Sequence, residues 1–509
     1  MPHAVSPSSS PPVAEDTVMS EAPAVNPLSS QSEAGHSQDL PAESKTTLDG
    51  MFDEDDDDEF SSSAPTNTAP SSSTAAQGAG SIKASDPDTL RAFYQRLFPF
   101  RQHFQWLNHS PIPSTDFSNR EFAFVLPNDA YIRYQSFVSA DQFRKQCLQM
   151  TPVRFEIGPV YSMNPRDRKS IRKQSAFRPL TKELVFDIDM TDYDEIRTCC
   201  QGASICQKCW SFITMAIKVV DAALREDFGF KHLLWVYSGR RGAHCWVSDK
   251  RAREMDDQKR KAVTGYLELI RGGDKGGKKV NLKRPLHPHI EYVPPPSTAN
   301  STNATRRSLN LLNPFFATQI LLEQDPFANP EQSARLLSLI PDKTLTAALQ
   351  KKWDSQPSRP SSQKWSDIDS LASAGHLSTL SPKQLVDVKQ DIRLEYTYPR
   401  LDAEVSKKLN HLLKSPFVIH PATGRVCVPI DVRRVEEFDP LGVPTVGELL
   451  AEIDAWKGEE GEGDAKMQDW QKTSLRPYVE YFRRFVDALI KDESAAAKRG
   501  REEDGGLDF

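Results

Sequence analysis

Two aspartates one residue apart, Asp187 and Asp189 in the run ELVFDIDM, are the most pointed chemical feature of this chain. A strand alternates its side chains, so an Asp-x-Asp at a strand end sends both carboxylates to one face. Like charges that close repel and raise each other's pKa unless a cation lies between them, and a hard divalent ion such as Mg2+ or Mn2+ suits their oxygens. The pair fits two-metal phosphoryl transfer, one ion activating a hydroxyl and the other steadying the leaving pyrophosphate. It fits equally well two solvated acids, or the Asp-x-Asp of sugar-nucleotide transferases, so other residues must decide. A third acid is wanted, and Asp402 in YPRLDAEVSKKLNHLLKSPFVIHP is the candidate, although it also stands where a cap for the following helix would stand. Asp192 and Asp194 read as first-turn and cap residues of the next segment.

A second group is SGRRGAHCWV, which sets Ser238, Arg240, Arg241 and His244 around Gly239 and Gly242 just after an apolar strand. Glycine lets the backbone approach an anion, and guanidinium forks match phosphate oxygens two at a time. That is a grip for a triphosphate. An exposed basic hairpin turn is the competing picture, and it fits poorly because Trp246 and Val247 resume a buried strand at once. Lys414 and His420 offer further phosphate contacts near Asp402 in the chain.

Cys199, Cys200, Cys206 and Cys209 give C-C-x5-C-x2-C, whose last pair has the spacing of a zinc knuckle. Four thiolates close a tetrahedral shell and leave no position for water, so the expected Zn2+ is structural. Four reduced core thiols are the alternative. Cys147, Cys245 and Cys427 are isolated in apolar surroundings and read as small core residues.

These groups need elements to carry them. Helical spacing in DTLRAFYQRLFPF, with Ser85 or Asp86 as cap, predicts a helix from Pro87. REFAFVL and AYIRYQSF alternate as two strands around a Pro-Asn-Asp turn. ELVFDIDM is a strand, SFITMAIKVVDAALREDF an amphipathic helix, and HLLWVYSGRRGAHCWVSD a strand, turn and strand. The fold class expected is therefore mixed α/β, or α+β. Residues 308–390 read as helical and interrupted by the Ser-Pro stretch SQPSRPSSQ, and PTVGELLAEIDAW and LRPYVEYFRRFVDALIKD close the folded part as helices.

Composition bounds the rest. At 509 residues and 38% hydrophobic the chain can bury a sizeable core, and it holds no uncharged apolar run long enough for a membrane span and no apolar signal core near its start. Seven cysteines without a signal peptide read as thiols or metal ligands and not as a disulfide framework. The net charge of -6 hides a more basic body, because residues 50–60 (GMFDEDDDDEF) concentrate acids in one run. The Ser, Pro and Ala content of residues 1–86 predicts a disordered tail. Lys278, Lys279, Lys283 and Arg284 lie in a Gly-Lys loop that could track nucleic-acid phosphates or simply be solvated, and 294–305 reads as a mobile insertion.

Taken together, ELVFDIDMTDYD, the cysteine cluster, FKHLLWVYSGRRGAHCWV and YPRLDAEVSKKLNHLLKSPFVIHPATGRVCVPID closely resemble the small catalytic subunit of the archaeo-eukaryotic primases, over most of residues 87–450. The resemblance implies a DNA primase, a nucleotidyltransferase that makes short RNA primers for replication. Asp187, Asp189 and Asp402 would then be Mg2+ or Mn2+ ligands. Ser238 through His244, His411 through Lys414, and His420 would bind the incoming ribonucleoside triphosphate, Glu121 matches a family active-site glutamate, and Arg133 with Tyr131 would line the site. It further implies a single-stranded DNA template, an RNA primer, a large subunit carrying an iron-sulfur cluster, the polymerase alpha complex, and a nuclear location. The N-terminal extension and the insertions near 295 and 355 depart from the compact family pattern.

The domain plan is a tail over 1–86, the first part of a primase core over 87–321 with the zinc motif at 199–209, a helical insertion with a disordered loop over 322–390, the rest of the core over 391–490, and a charged tail over 491–509. Two rival readings stay open: a primase-polymerase of the same superfamily acting in damage bypass, and a non-catalytic, zinc-stabilised nucleic-acid-binding assembly module.

Overall fold

The structure, a computed structural model, describes residues 84–271, 286–291, 307–456 and 467–505. The expected tail over 1–86 falls almost wholly outside these residues, as do Lys278, Lys279, Lys283, Arg284 and the 294–305 insertion.

Asp86 begins the first helix: its carboxylate accepts from the Thr89 N–H at 2.9 Å, with Pro87 in the first turn where no donor is needed. Helices α1 (Pro87–Arg96), α2 (Phe100–Asn108) and α3 (Thr115–Ser118) lead into the expected hairpin of β1 (Arg120–Val125) and β2 (Tyr131–Gln135). Then come α4 (Ala140–Met150), β3 (Arg154–Tyr161) and β4 (Pro179–Thr181). With β10 (Leu413–Lys414) they build the first sheet, ordered β10-β3-β1-β2 with β4 also on β3, every pair antiparallel. One face of this sheet is aromatic. Phe122, Phe155 and the α4 residue Phe143 lie 5.0 to 6.3 Å apart, centre to centre, and Phe98 and Phe100 join them from the α1–α2 region. Deleting one such ring costs about 3–5 kcal/mol. By strand alternation the opposite face carries Glu121, Glu156 and Lys414.

The second sheet is ordered β11-β6-β7-β5 and is also antiparallel. It is made of β5 (Leu184–Asp189), β6 (Leu233–Tyr237), β7 (Gly242–Val247) and β11 (Pro429–Ile430). The long helix α5 (Gln207–Glu226) covers one face, where Trp235 donates to Asp221 at 3.1 Å. On the other face Trp106 of α2 packs on Trp246 at 5.3 Å. Helices α6 (Lys250–Arg253) and α7 (Asp257–Leu267) follow, and β8 (Ile270–Arg271) pairs in parallel with β9 (Arg400–Leu401).

The helical region comprises α8 (Ser308–Phe315), α9 (Pro330–Ser338), α10 (Lys343–Asp354), α11 (Ser361–Leu371) and α12 (Pro382–Thr397). A wider π-helical turn over Phe316–Gln324 continues α8 without a break, so the helical run crosses the boundary expected at 321/322. The SQPSRPSSQ stretch, expected as a disordered loop, is a held turn. Arg359 pairs with Asp367 at 2.5 and 2.7 Å, and Ser361, fully buried, accepts from the Phe327 N–H at 2.7 Å. After α13 (Ala403–Lys407) and β10, α14 (Val446–Ala455) and α15 (Arg476–Gly505) finish the chain. Of the stretch expected as a charged tail at 491–509, the described residues to Gly505 continue helix α15, ESAAAK being rich in the good helix formers Ala, Glu and Lys. No helix among the described residues is long and apolar enough to cross a membrane.

The two sheets meet over a buried ion pair. Arg120, the first residue of β1, donates to both carboxylate oxygens of Glu183, just before β5, at 2.7 and 3.1 Å, and both side chains are fully buried. His109 reaches the same carboxylate at 3.1 Å, and Arg260 of α7 donates to the Glu183 carbonyl at 3.2 Å. Burial works to raise the Glu183 pKa, but Arg120 and His109 outweigh it and hold the carboxyl well below its usual range. The folded carboxylate thus binds its proton less tightly than the unfolded one. The contribution is complete above about pH 4.3 and is lost as the pH falls through the lowered folded value. Glu183→Gln should lower stability at neutral pH by about 3–5 kcal/mol in urea unfolding. The deficit against the wild type should shrink once the pH is taken below about 4. A Gln variant as stable as the wild type at pH 7 would show that the pair contributes nothing to joining the sheets.

Candidate active site and metal centre

The antiparallel register of β5 and β7 sets Asp187 opposite His244 and Asp189 opposite Gly242. Asp187, Asp189 and His244 therefore share one face, and His244 Nε2 lies 3.5 Å from Asp187 Oδ1. An isolated antiparallel bridge lays Asp402 beside Asp187, the Asp402 N–H donating to the Asp187 carbonyl at 3.1 Å. A pairing between segments far apart in the chain thus brings the third acid to the other two. Asp402 is also the cap of α13, accepting from the Glu404 N–H at 3.1 Å, so its two expected roles coexist.

Burial first, then repulsion from Asp189 and Asp402, pushes the Asp187 carboxyl up to about 8. Asp189 goes the other way: burial would raise it, but the Thr191 N–H and Arg241 bring it below the ordinary carboxylate value. Arg241 Nε lies 2.8 and 2.9 Å from its two oxygens. Asp192, expected only in a first turn, does lie in the short turn Met190–Tyr193. Burial and the charges of Asp189 and Asp402 raise it to about 7, so it feels the same negative field. The three aspartates offer hard oxygens and mutual repulsion, a donor set that fits a divalent cation. Their oxygens are less tightly gathered than the thiols described below, with Asp189 drawn to Arg241 and Asp402 to its helix.

Both glycines of the Ser238–His244 turn are required by packing. Gly239 has φ 88°, and a Cβ there would lie 2.6 Å from His420 Cβ; a Cβ on Gly242 would lie 2.3 Å from the Ile188 carbonyl oxygen. The turn is thereby pressed against His420 on one side and β5 on the other. Lys414 closes the group from the first sheet, its Nζ donating to the Ser238 carbonyl at 3.0 Å. Burial, then Lys414, holds His244 down to about 3, and burial with Lys414 and Arg240 does the same to His420. Both imidazoles are neutral near pH 7, so the positive charge of the cradle belongs to Arg240, Arg241 and Lys414.

Glu121 is fully buried on β1 and accepts from Arg133 Nε at 3.0 Å, from the Tyr134 N–H at 3.2 Å and from the Tyr161 hydroxyl at 3.1 Å. Tyr131 donates to Glu156 at 2.7 Å, and Glu156 is the register partner of Lys414. Glu121, Arg133 and Tyr131 therefore belong to the polar side of the first sheet, where Glu121 ties Arg133, Tyr134 and Tyr161 together. His411 turns Nδ1 to the Leu412 carbonyl at 2.8 Å, while its own carbonyl accepts from Lys182.

The thiols of Cys199, Cys200, Cys206 and Cys209 all lie within 4.8 Å of one another, and no other such donor group occurs among the described residues. A tetrahedral ion with metal–sulfur bonds of about 2.3 Å needs its sulfurs about 3.8 Å apart. The Cys206 and Cys209 Sγ atoms stand 3.8 Å apart. This cluster can hold a metal such as zinc. Its outer contacts were not legible in the spacing. Arg197 lies 3.8 Å from Cys209 Sγ and is steadied by Asp194, while Gln324 Nε2 donates to Cys199 Sγ at 3.4 Å and Gln324 Oε1 accepts from the Thr198 N–H at 2.8 Å. Through Gln324 the cluster is tied to the helical region. Cys147, Cys245 and Cys427 are buried, as expected.

The comparisons with known proteins agree with one another. The family profile described as DNA primase small subunit matches residues 186–432. The DNA primase small subunit of Schizosaccharomyces pombe is 50% identical over 439 residues, covering 82% of this chain and 93% of the relative. That of Saccharomyces cerevisiae is 44% identical over 441 residues, covering 84% and 99%. The archaeal DNA primase small subunit PriS of Archaeoglobus fulgidus is 32% identical over 157 residues, covering 30% of this chain and 44% of its own.

Cys206→Ser should release a bound zinc ion measured by metal analysis. Hydrogen exchange should then rise in two places at once, around Thr198–Phe212 and around Phe316–Ala328, because Gln324 bridges them. A full equivalent of zinc in the variant would rule out Cys206 as a ligand.

Proposed function

Because this chain belongs to the DNA primase small subunit family, we propose that its two sheets close on a ribonucleoside triphosphate and join it to an RNA strand growing on single-stranded DNA. Family membership makes the chain a catalytic primase of DNA replication, a nucleotidyltransferase that makes RNA primers and binds nucleic acid and nucleoside triphosphates in a complex with other primase subunits. The observation that carries the finer reading is the register of Asp187 against His244 with Lys414 arriving from the other sheet.

In this reading Asp187, Asp189 and Asp402 would hold Mg2+ or Mn2+, which when bound supplies Lewis-acid charge to the reacting phosphate and lowers the pKa of the attacking hydroxyl. The 3′-hydroxyl of one nucleotide attacks the α-phosphorus of the next in line, and pyrophosphate leaves toward Arg240, Arg241 and Lys414. These three groups give the leaving group a positive rim to move toward. His244 and His420, neutral, contribute a hydrogen bond or shape and not charge. Ser238 and the Gly239–Gly242 turn hold the arginines at the strand mouth. Glu121 anchors Arg133, which would line the nucleotide site, with His411 beside Lys414. The cysteine cluster, loaded with zinc, would staple the segment after β5. Assembly with an iron-sulfur large subunit and the polymerase alpha complex, in the nucleus, completes the proposal.

The test is primer synthesis on single-stranded DNA with ribonucleotides and Mg2+ or Mn2+, alone and with the large subunit. The wild type should make short RNA, and Asp187→Ala/Asp189→Ala should lose at least about a thousandfold in rate while keeping its fold. A marked preference for deoxynucleotides would instead favour the damage-bypass reading, and a folded, zinc-bearing chain without product would favour the binding module.

A further inference from the structure

Next to β2 lies a strongly basic stretch that none of the chemistry above uses. Residues 164–178, NPRDRKSIRKQSAFR, carry six cations (Arg166, Arg168, Lys169, Arg172, Lys173, Arg178) against one acid, Asp167, in a chain whose net charge is -6. All but Arg168 are exposed, and none of the six makes an ion pair with a carboxylate among the described residues. Such a concentration of exposed positive charge creates a local potential that attracts a polyanion.

The local backbone is arranged around this charge. Tyr134 has φ 59°, a left-handed conformation that a bulky residue rarely adopts, and the buried Glu121 carboxylate holds it by accepting its N–H. The conformation sends the Tyr134 ring across to the basic stretch, where the Arg168 guanidinium lies over it, 3.8 Å from the ring centre. Phe177 steadies the far side, stacked on Tyr161 at 4.1 Å and 4°. Arg166 lies over Phe137 at 5.1 Å. Between them opens a cleft of about 400 Å³ lined by Arg133, Tyr134, Gln135, Arg166, Arg168 and Lys169. Cations fixed on aromatic faces with room for a chain between them match a single nucleic-acid strand.

Position sets how far this strand lies from the joining site. Lys414 on β10 and the cleft beside β2 lie at opposite sides of the sheet path β10-β3-β1-β2. Three strand steps make about 14 Å, on the order of four stacked nucleotides at ~3.4 Å each. We propose that the cleft and the Arg166–Arg178 stretch form a track for the sugar-phosphate backbone of the single-stranded DNA template, a few nucleotides from the nucleotide-joining site. The proposal rests on the primase reading and deepens it.

The experiment uses the full chain and the variant Arg166→Gln/Lys169→Gln/Arg172→Gln/Lys173→Gln, all four exposed, with zinc content and melting temperature as the check on folding. Anisotropy of a labelled oligodeoxythymidine is followed across a salt series. Affinity should fall by about tenfold or more, and the slope of log K against log salt should flatten by up to about 3, at roughly 0.7 for each phosphate no longer neutralised. The ribonucleotide KM on saturating template should stay unchanged. Unchanged affinity and slope, with the wild type still making primers, overturn the track and leave the primase reading standing; a wild type that makes no primers is a failure of that reading instead. A photoreactive thiothymidine in the template should crosslink to the peptide 164–178, and crosslinking only from a thiouridine in the primer would overturn the choice of strand.

Discussion

Everything in the site depends on how two separate antiparallel sheets are held together, and a buried charge cluster is central to that. Arg120 begins β1 and Glu183 precedes β5, so their bidentate bond fixes the start of the strand that carries Glu121 against the start of the strand that carries Asp187. Arg260 and His109 use the remaining acceptors, and Lys182, beside them, is drawn down to about 7 by burial and by the Arg260 charge. A buried ion pair of this kind is not a cheap source of stability, because desolvation cancels much of its attraction. What it supplies is geometry. A slip of one residue at Glu183 would turn Asp187 and Asp189 into the apolar face under α5.

With the sheets fixed, the electrostatics of the site follow. Three aspartates and Asp192 share a half-enclosed space, and their repulsion is concentrated on Asp187 while Arg241 relieves Asp189. The opposite rim takes its positive charge from Arg240, Arg241 and Lys414, since the two histidines are kept neutral by burial and by Lys414. A substrate with a negative tail and a reacting centre that gathers negative charge is matched at both ends: fixed cations for the tail, cation-seeking carboxylates for the centre.

Some of this was legible in the sequence and some was not, for identifiable reasons. Asp187 with Asp189, the Ser238–His244 turn and the four cysteines are local patterns, where strand alternation or ligand spacing alone decides which atoms meet. Asp402 could be nominated only by type, since a single backbone bridge puts it beside Asp187. Arg120 with Glu183, and Gln324 with the cysteine loop, are pairings across 63 and 125 residues with no periodic signature. The Ser-Pro stretch near 355 looks unable to order itself, and by composition it is; Arg359, Asp367 and the buried Ser361 tie it to its neighbours. The glycines of the turn suggest phosphate approach, whereas the contacts that exclude a side chain there come from His420 and β5.

The same network that reads as active-site lining also explains the strained residue beside it. Glu121 is a buried carboxylate, and a buried charge requires full hydrogen bonding. It takes the Arg133 guanidinium and the Tyr161 hydroxyl, and it completes its shell with the Tyr134 N–H. That last bond is made with Tyr134 in a left-handed conformation, which costs of order 1–3 kcal/mol and turns its ring out toward Arg168. One carboxylate thereby couples two surfaces: Arg133, on the face that looks toward Lys414, and Tyr134, which organises the basic stretch beyond the sheet edge. The strain at Tyr134 is sustained by the need to satisfy a buried acid, and its consequence is a positively charged lip at the β2 side of the sheet, three strand steps from Lys414.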